Sequence, residues 1–210
     1  SWSPEMSPLL IEESEGVAIR WGSDECASVH HDHLLACLSE AGVSLQEPVY
    51  TPSQQTRTLN DVLQLSIRDL QLDERETEWS GLAYALWLPP LKTWHNREGR
   101  QISFDLIAQR LIRGKQITGV CLGTHRIYTL VVLLRLDDEY HILSPEIRTS
   151  VREHLLKVRD ELSGSQYADG HWESTWPEGA EGLKTGSHDE LYKQVIGTGH
   201  HLEWMAIAPR

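Results

Sequence analysis

The sequence predicts an all-α fold of stacked helical hairpins, arranged as a partial or open α/α toroid. Segments with an apolar stripe alternate with segments that are apolar all round, and these patterns are typical of surface and buried helices respectively. The striped segments begin near residues 58, 103 and 145, so their spacings are 45 and 42 residues. A repeat of this length made of two helices is typical of stacked helical hairpins.

Three striped segments supply the outer helices of this prediction. The second follows Ser103, a good N-cap, and the third opens with Ser144-Pro145, an N-cap followed by proline at the first helical position. The stripes comprise Leu59, Val62, Leu63, Ile67 and Leu70, then Phe104, Ile107, Ala108, Leu111 and Ile112, then Ile147, Val151, Leu155, Val158 and Leu162.

Three segments that are apolar all round supply the inner helices. They cover Trp79–Leu88, His125–Leu134 and His200–Ala208, and Pro89-Pro90 ends the first of them. A strand over 129–134 is the alternative, but the length and flanks of that segment favour a helix. The second interval between inner segments is longer than the first because it contains the segment 164–187.

Residues 1–52 form an N-terminal region in this prediction, packed on a helical-hairpin domain over 53–210. The pattern of residues 26–41 predicts one helix closed by Gly42, and the prolines of 48–52 predict a linker. Residues 16–21 fit a short strand or the end of a helix. Three or four hairpins are too few to close a ring, so we expect an open cleft, or a ring completed by further chain or a partner subunit.

The composition excludes several classes of protein. The 210-residue chain has a formal net charge of −12, which excludes the electrostatic footprint of a nucleic-acid binder. The sequence has no run of 18 uncharged apolar residues, so no segment is predicted to span a membrane. Its three cysteines are too few for a disulfide framework. The sequence leaves the compartment, the cofactor and the oligomeric state open.

The predicted catalytic residues come from the starts of inner helices. Inner helices of such a stack run parallel, so their N-termini gather at one end, where exposed N–H groups and the helix dipole favour anions and lower the pKa of a histidine. We therefore expect His125 and His200 to transfer protons, and Glu203 to orient a histidine or act as a base. Arg126 is expected to pair with a carboxylate or phosphate of the substrate. A helix cap or a satisfied place in the core is the alternative role for each histidine.

The segment 163–177 supplies the predicted substrate-binding residues. Tyr167, Trp172 and Trp176 have flat faces with polar edges, which suit stacking on a sugar ring. His171 adds a titratable group among them. The alternative is a turn in which Gln166 ties down the backbone and Trp172 fills a gap between helices.

The spacing within this segment resembles a known repeat. Gln166-x-x-x-Gly170-x-Trp172, with Leu162 four residues before the glutamine, is similar to the QW repeat of the terpenoid-cyclase and protein-prenyltransferase toroids. In that family the motif joins successive helices and is structural. The resemblance therefore implies a toroid and, as a variant, an isoprenoid-handling enzyme. Glu161 stands where the family has an aromatic residue, and the aspartate-rich motifs of isoprenoid chemistry are missing.

A second resemblance covers only six residues. The stretch Gly199-His200-x-x-Glu203-Trp204 is similar to one found in the N-acylglucosamine 2-epimerase toroids, although Thr198 stands where that family has proline. The resemblance implies a role for His200 in proton transfer.

The sequence assigns no metal to the predicted site. His-Glu-x-x-His, Cys-x-x-Cys, the P-loop and Gly-x-Gly-x-x-Gly are all absent from it. Cys26, His30, His33 and Cys37 share one helical face, but the ends of this set lie about 16 Å apart, too far for one zinc ion. The pair His33 and Cys37 could supply two zinc ligands, and a place in the core is the alternative.

Two classes of function are left open. The first is an enzyme that uses histidine acid–base chemistry on a carbohydrate-type or other small polar substrate. The second is a non-catalytic helical scaffold whose concave face binds a peptide or protein partner. A distance above about 10 Å between His125 and His200, or their burial in the core, would favour the scaffold, because proton transfer needs hydrogen-bond reach.

Overall fold

The contacts of the chain divide it into two compact units. The computed structural model describes residues 7–22, 27–53, 56–74, 76–114, 121, 123–185 and 189–209. The units cover Ser1–Ile107 and Ala108–Arg210. The division does not fall at residue 52, where the sequence predicts a linker.

The first unit alternates small hairpins with helices. Its described elements are β1 (Leu10–Glu13), β2 (Gly16–Ile19), α1 (His33–Glu40), β3 (Pro48–Val49), β4 (Arg57–Thr58), α2 (Leu59–Asp69), α3 (Thr77–Trp87), β5 (Thr93–His95), β6 (Gln101–Ser103) and α4 (Phe104–Arg113), which continues into the second unit. The N-terminal hairpin shares a core with α2, since β2 packs directly on that helix. Gly16 permits this approach, because a Cβ there would stand 2.9 Å from the carbonyl oxygen of Asp61. This shared core explains why residues 1–52 are not a unit by themselves.

In the part of the chain that the structure describes, three two-stranded antiparallel sheets correct the all-α prediction. They pair β1 with β2, β3 with β4, and β5 with β6. In the last sheet, Trp94 on β5 is buried against the rings of Tyr84 and Phe104. Strands of two to four residues are too short to show a two-residue period in the sequence. The prediction that the chain is mainly helical is confirmed for the described residues.

The second unit is built from long helices. Its described elements are α5 (Thr124–Tyr140), α6 (Pro145–Ser165), a 3₁₀ segment (Trp176–Thr185) interrupted at Gly179, and α7 (Leu191–Ile207). Ser144 caps α6 as predicted, since its side chain accepts a hydrogen bond from the Ile147 amide. α5 ends at Tyr140, and its C-cap, His141, has a left-handed backbone with φ 51°.

The last helix begins nine residues earlier than the sequence predicts. The prediction places its start at His200, whereas α7 starts at Leu191. The first turns of α7 do not show the apolar pattern of a packed helix, because their apolar residues face solvent. Leu191 is 74% exposed and Val195 is 62% exposed. Without a buried stripe, these turns carry no helical periodicity.

α5 and α7 pack together and run in the same direction. His125 meets His200 near one end of the contact, and Leu134 lines one cavity with Met205 and Ala208 near the other. The core between these helices, α6 and the 3₁₀ segment consists of Ile127, Val131, Val158, Leu162, Trp172, Trp176 and Trp204. Within the described residues, no helix is both long enough and apolar enough to cross a bilayer.

Candidate metal centre

Three side chains with metal-binding atoms converge on one side of the α5–α7 contact. A ligand atom of Cys121 and ring nitrogens of His125 and His200 all lie within 4.8 Å of one another. The two imidazole rings are 4.5 Å apart between centroids and inclined at 61°. All three side chains are half-buried, so solvent reaches the group.

The turn before α5 fixes Cys121 relative to His125. Gly123 caps the helix in a left-handed conformation with φ 74°, which a residue with a Cβ adopts only under strain. Thr124 then donates two hydrogen bonds to the carbonyl oxygen of Cys121, from its amide at 3.0 Å and from its hydroxyl at 2.6 Å. These bonds set the thiol one turn before the imidazole of His125.

His200 reaches the group from the middle of α7. The prediction places it at a helix N-terminus, but nine helical residues precede it, so of the two histidines only His125 lies near the positive end of a helix dipole. Glu203 follows one turn later, and its Oε2 lies 2.8 Å from Nδ1 of His200. This pairing fixes the orientation of the imidazole and leaves Nε2 as the ring nitrogen for a ligand.

The neighbouring His201 lies on the buried face of the same helix. Its side chain is inaccessible to solvent, and its Nδ1 accepts a hydrogen bond from Trp204 Nε1 at 3.2 Å. Burial and, to a lesser extent, the neighbouring His200 lower the pKa of His201 to about 3. Its Nε2 has no hydrogen-bond partner among the described residues, and the ring meets Trp172 and Trp176 edge to face. His201 is therefore a neutral core residue.

The two tryptophans predicted to stack on substrate are core residues. Trp172 and Trp176 are each only 5% exposed, and Trp172 Nε1 donates to the Leu162 carbonyl at 2.9 Å. Gln166 Nε2 donates to the Gly170 carbonyl at 3.0 Å, as in the alternative interpretation of a turn. Trp172 and Trp176 are thus almost entirely covered by the protein, as core residues are.

Tyr167 and His171 belong to a separate polar network. Their rings stack at 4.4 Å, and His171 Nε2 lies 3.3 Å from a carboxylate oxygen of Glu173. Glu173 is 1% exposed and accepts a hydrogen bond from Gln194 of α7 at 2.9 Å. Burial and the nearby Glu173 carboxylate raise the pKa of the Tyr167 hydroxyl. This network anchors the segment before the 3₁₀ helix to α7.

Arg126 contacts the residue that follows α4. Its guanidinium donates to the carbonyl oxygen of Gly114, and its side chain lines a cavity of about 610 Å³ beside α5. The role of Arg126 as a partner for an anion of the substrate stays a prediction.

The histidines near the front of the chain have other partners. His30 and His33 pack on Trp79, and Nδ1 of His30 lies 2.6 Å from a carboxylate oxygen of Glu76. Cys26, which completes the predicted spacing, lies outside the described residues. Among the described residues, the three-residue group in the second unit is the one whose ligand atoms converge for a metal.

Cys121 is not among the site residues that the sequence predicts. The signal was the spacing Cys121-x-x-x-His125, which places a thiol one turn before an imidazole. Comparison of the chain with protein-family models, with curated proteins and with solved structures gives no match.

Proposed function

We propose that Cys121, His125 and His200 bind one zinc ion, and that this centre is catalytic. The observation that carries the proposal is the convergence of one thiol and two imidazoles within 4.8 Å. Thiolate and imidazole together are donors that zinc prefers. Three protein ligands with partial exposure fit a catalytic centre, which keeps one position for water or substrate, better than a closed structural site.

The side chains around the centre have separate tasks. Cys121 lies four residues before His125, and two hydrogen bonds from Thr124 to its carbonyl oxygen hold it there. Glu203 holds His200 through Nδ1, which supports the basicity of Nε2. When bound, the ion would lower the pKa of a coordinated water and polarise a substrate oxygen.

Metal-free acid–base chemistry at the same residues is the second candidate. The distance of 4.5 Å between the rings of His125 and His200 supports it, because proton transfer between substrate and imidazole needs such proximity. A carbohydrate-type substrate and a partial toroid around the site belong to this proposal, as the sequence predicts. Cys121 favours the metal, since a thiol beside two imidazoles adds little to proton transfer.

Cobalt substitution tests the metal proposal on the full chain. Protein treated with a chelator and loaded with Co²⁺ should bind one equivalent and show a thiolate-to-cobalt charge-transfer band. Cys121→Ser should abolish that band, and His125→Ala and His200→Ala should weaken zinc binding by about 100-fold or more. Glu203→Gln should weaken zinc binding by about 10-fold, because only the orientation of a ligand changes.

Matched controls lie in the first unit. Cys37→Ser and His95→Ala remove an exposed thiol and an exposed imidazole from α1 and β5, and neither should change the stoichiometry or the spectrum. Azide added to the cobalt protein should shift the visible spectrum if a coordination position is open. An unchanged spectrum would contradict a catalytic centre, and binding that survives Cys121→Ser would contradict the ligand set.

A further inference from the structure

A cavity of about 590 Å³ lies at the other end of the α5–α7 contact from the proposed metal centre. It is bounded by α5, α6 and the last turns of α7, and we call it the apolar cavity. All three helices belong to the second unit, so the apolar cavity is formed within one unit. Its volume is typical of a pocket for a small organic molecule.

The floor of the apolar cavity is formed by the core of the second unit. Leu134, Leu162, Trp172 and Trp204 line it, and each of them is buried. The indole N–H of Trp172 donates to the Leu162 carbonyl at 2.9 Å. The indole N–H of Trp204 donates to Nδ1 of His201 at 3.2 Å. The part of each indole that faces the cavity is therefore hydrocarbon, and an apolar ligand group gains free energy by leaving water to cover it.

The apolar cavity is elongated along α6. The lining residues within this helix run from Arg152 to Ser163, a length of about 16 Å at 1.5 Å per residue. Leu155 and Leu156 lie between them, and Leu156 is 50% exposed. A linear alkyl chain laid along the helix covers both leucines, whereas a compact ring covers only part of this length. The shape therefore favours a ligand with a single chain.

Two arginines stand at the rim of the apolar cavity. Arg152 and Arg159 line it from α6 and are exposed, and the described residues of the lining include no aspartate or glutamate. Arg159 pairs with Asp160, its neighbour in the sequence. The charge of Arg152 also acts on the Asp138 carboxylate, but Arg148 forms the ion pair with that group. In a chain of net charge −12, a rim of this sign favours an anionic end group at Arg152.

We propose that the apolar cavity binds a medium-chain carboxylic acid, with the carboxylate at Arg152 and the alkyl chain along α6. A guanidinium holds a carboxylate through two parallel N–H bonds, so one arginine is sufficient for the head group. The chain lies on Leu155, Leu156 and the indole of Trp204, which would otherwise contact water. None of the three proposed metal ligands lines the apolar cavity, so this site does not depend on the proposed function.

Calorimetric titration of the full chain with hexanoate, decanoate and 1-decanol tests the inference. One equivalent of decanoate should bind, at least about 10-fold more tightly than hexanoate, because four further methylene groups leave water. 1-Decanol should bind about 5-fold more weakly than decanoate, since it keeps the chain and lacks the charge. Equal affinities for hexanoate and decanoate, or binding of many equivalents without saturation, would overturn the inference.

Two substitutions separate the head group from the chain. Arg152→Ala should weaken decanoate binding about 5-fold and leave the affinity for 1-decanol unchanged, which also shows that the variant is folded. Alanine is a good helix former and the position is exposed, so folding should be unaffected. Leu156→Gln removes apolar surface at the rim and should weaken both ligands by about 3-fold or more.

Arg100→Ala is the matched control, because it removes an exposed arginine of the first unit and changes the net charge equally. It should bind decanoate like the natural chain. The same affinity for decanoate in Arg152→Ala, Leu156→Gln and Arg100→Ala would overturn the inference, as would equal affinities of the natural chain for decanoate and 1-decanol. Decanoate binding without cobalt binding would refute only the metal centre, and the reverse result would refute only the apolar cavity.

Discussion

Lowering the pH from 7 to 4.5 should reduce the free energy of unfolding of the second unit by about 3 kcal/mol through His201 alone. Burial lowers the pKa of His201 to about 3 in the folded protein, whereas an unfolded histidine has a pKa near 6.5. Between about pH 6.5 and pH 3, His201 is therefore protonated in the unfolded state and neutral in the folded state. Stability is therefore lost as the pH falls from 6.5 towards 3, at about 1.4 kcal/mol per pH unit.

Urea unfolding followed by tryptophan fluorescence at pH 7 and pH 4.5 measures this effect. Trp172, Trp176 and Trp204 surround His201 and report on its surroundings. His201→Phe keeps the aromatic packing and removes the titration, so its stability should change much less between the two pH values. His95→Gln removes an exposed histidine and serves as the control. The same loss on acidification in His201→Phe and in the natural chain would contradict the assignment.

Asp137→Ala should destabilise the second unit by about 2–4 kcal/mol. The Asp137 carboxylate is buried at the end of α5, where it accepts a hydrogen bond from the Leu143 amide at 2.7 Å and binds the Arg148 guanidinium of α6. Alanine leaves the amide without its acceptor and removes the buried partner of the guanidinium. The turn from α5 to α6 therefore loses both the hydrogen bond to the Leu143 amide and the ion pair with Arg148.

Asp160→Ala is the control for this substitution. Asp160 pairs with Arg159, but both side chains are exposed, so the loss should stay within about 0.5 kcal/mol. Asp137→Asn keeps one oxygen for the Leu143 amide and should recover part of the stability. Thermal unfolding of the three variants measures the differences, and equal values for Asp137→Ala and Asp160→Ala would refute the role of Asp137.

The longer helices could be predicted because their stripes are buried. Ile147, Val151 and Val158 of α6 lie in the core, as the helical period predicts. The dipeptide Ser144-Pro145 is sufficient to predict the N-cap of this helix. The sheets could not be predicted in this way, since two to four residues give no period. The sequence does not predict the start of α7, because the first turns of this helix do not pack on the core. Leu191 and Val195 are helical but exposed.

The candidate site was predicted in part. The pairing of His125 with His200 follows from two neighbouring helices that run in the same direction, although His200 is not at a helix start. Cys121 could not be predicted as a site residue, because a thiol one turn before an imidazole is not a motif by itself. The third residue of the group, His200, is distant in the sequence. Trp172 and Trp176 were assigned to substrate from their polar edges, but their large apolar area favours burial.

The positions of Cys37 and Cys121 give the protein an internal reference for chemical labelling. Neither forms a disulfide: the thiol of Cys37 is exposed on α1, and that of Cys121 is half-buried beside two imidazoles in the other unit. An alkylating reagent would therefore modify both thiols in a single sample, and mass spectrometry of the digested protein would give the rate at each cysteine. At a fixed pH, the ratio of the two rates reports occupancy of the proposed ligand position independently of protein concentration or reagent age.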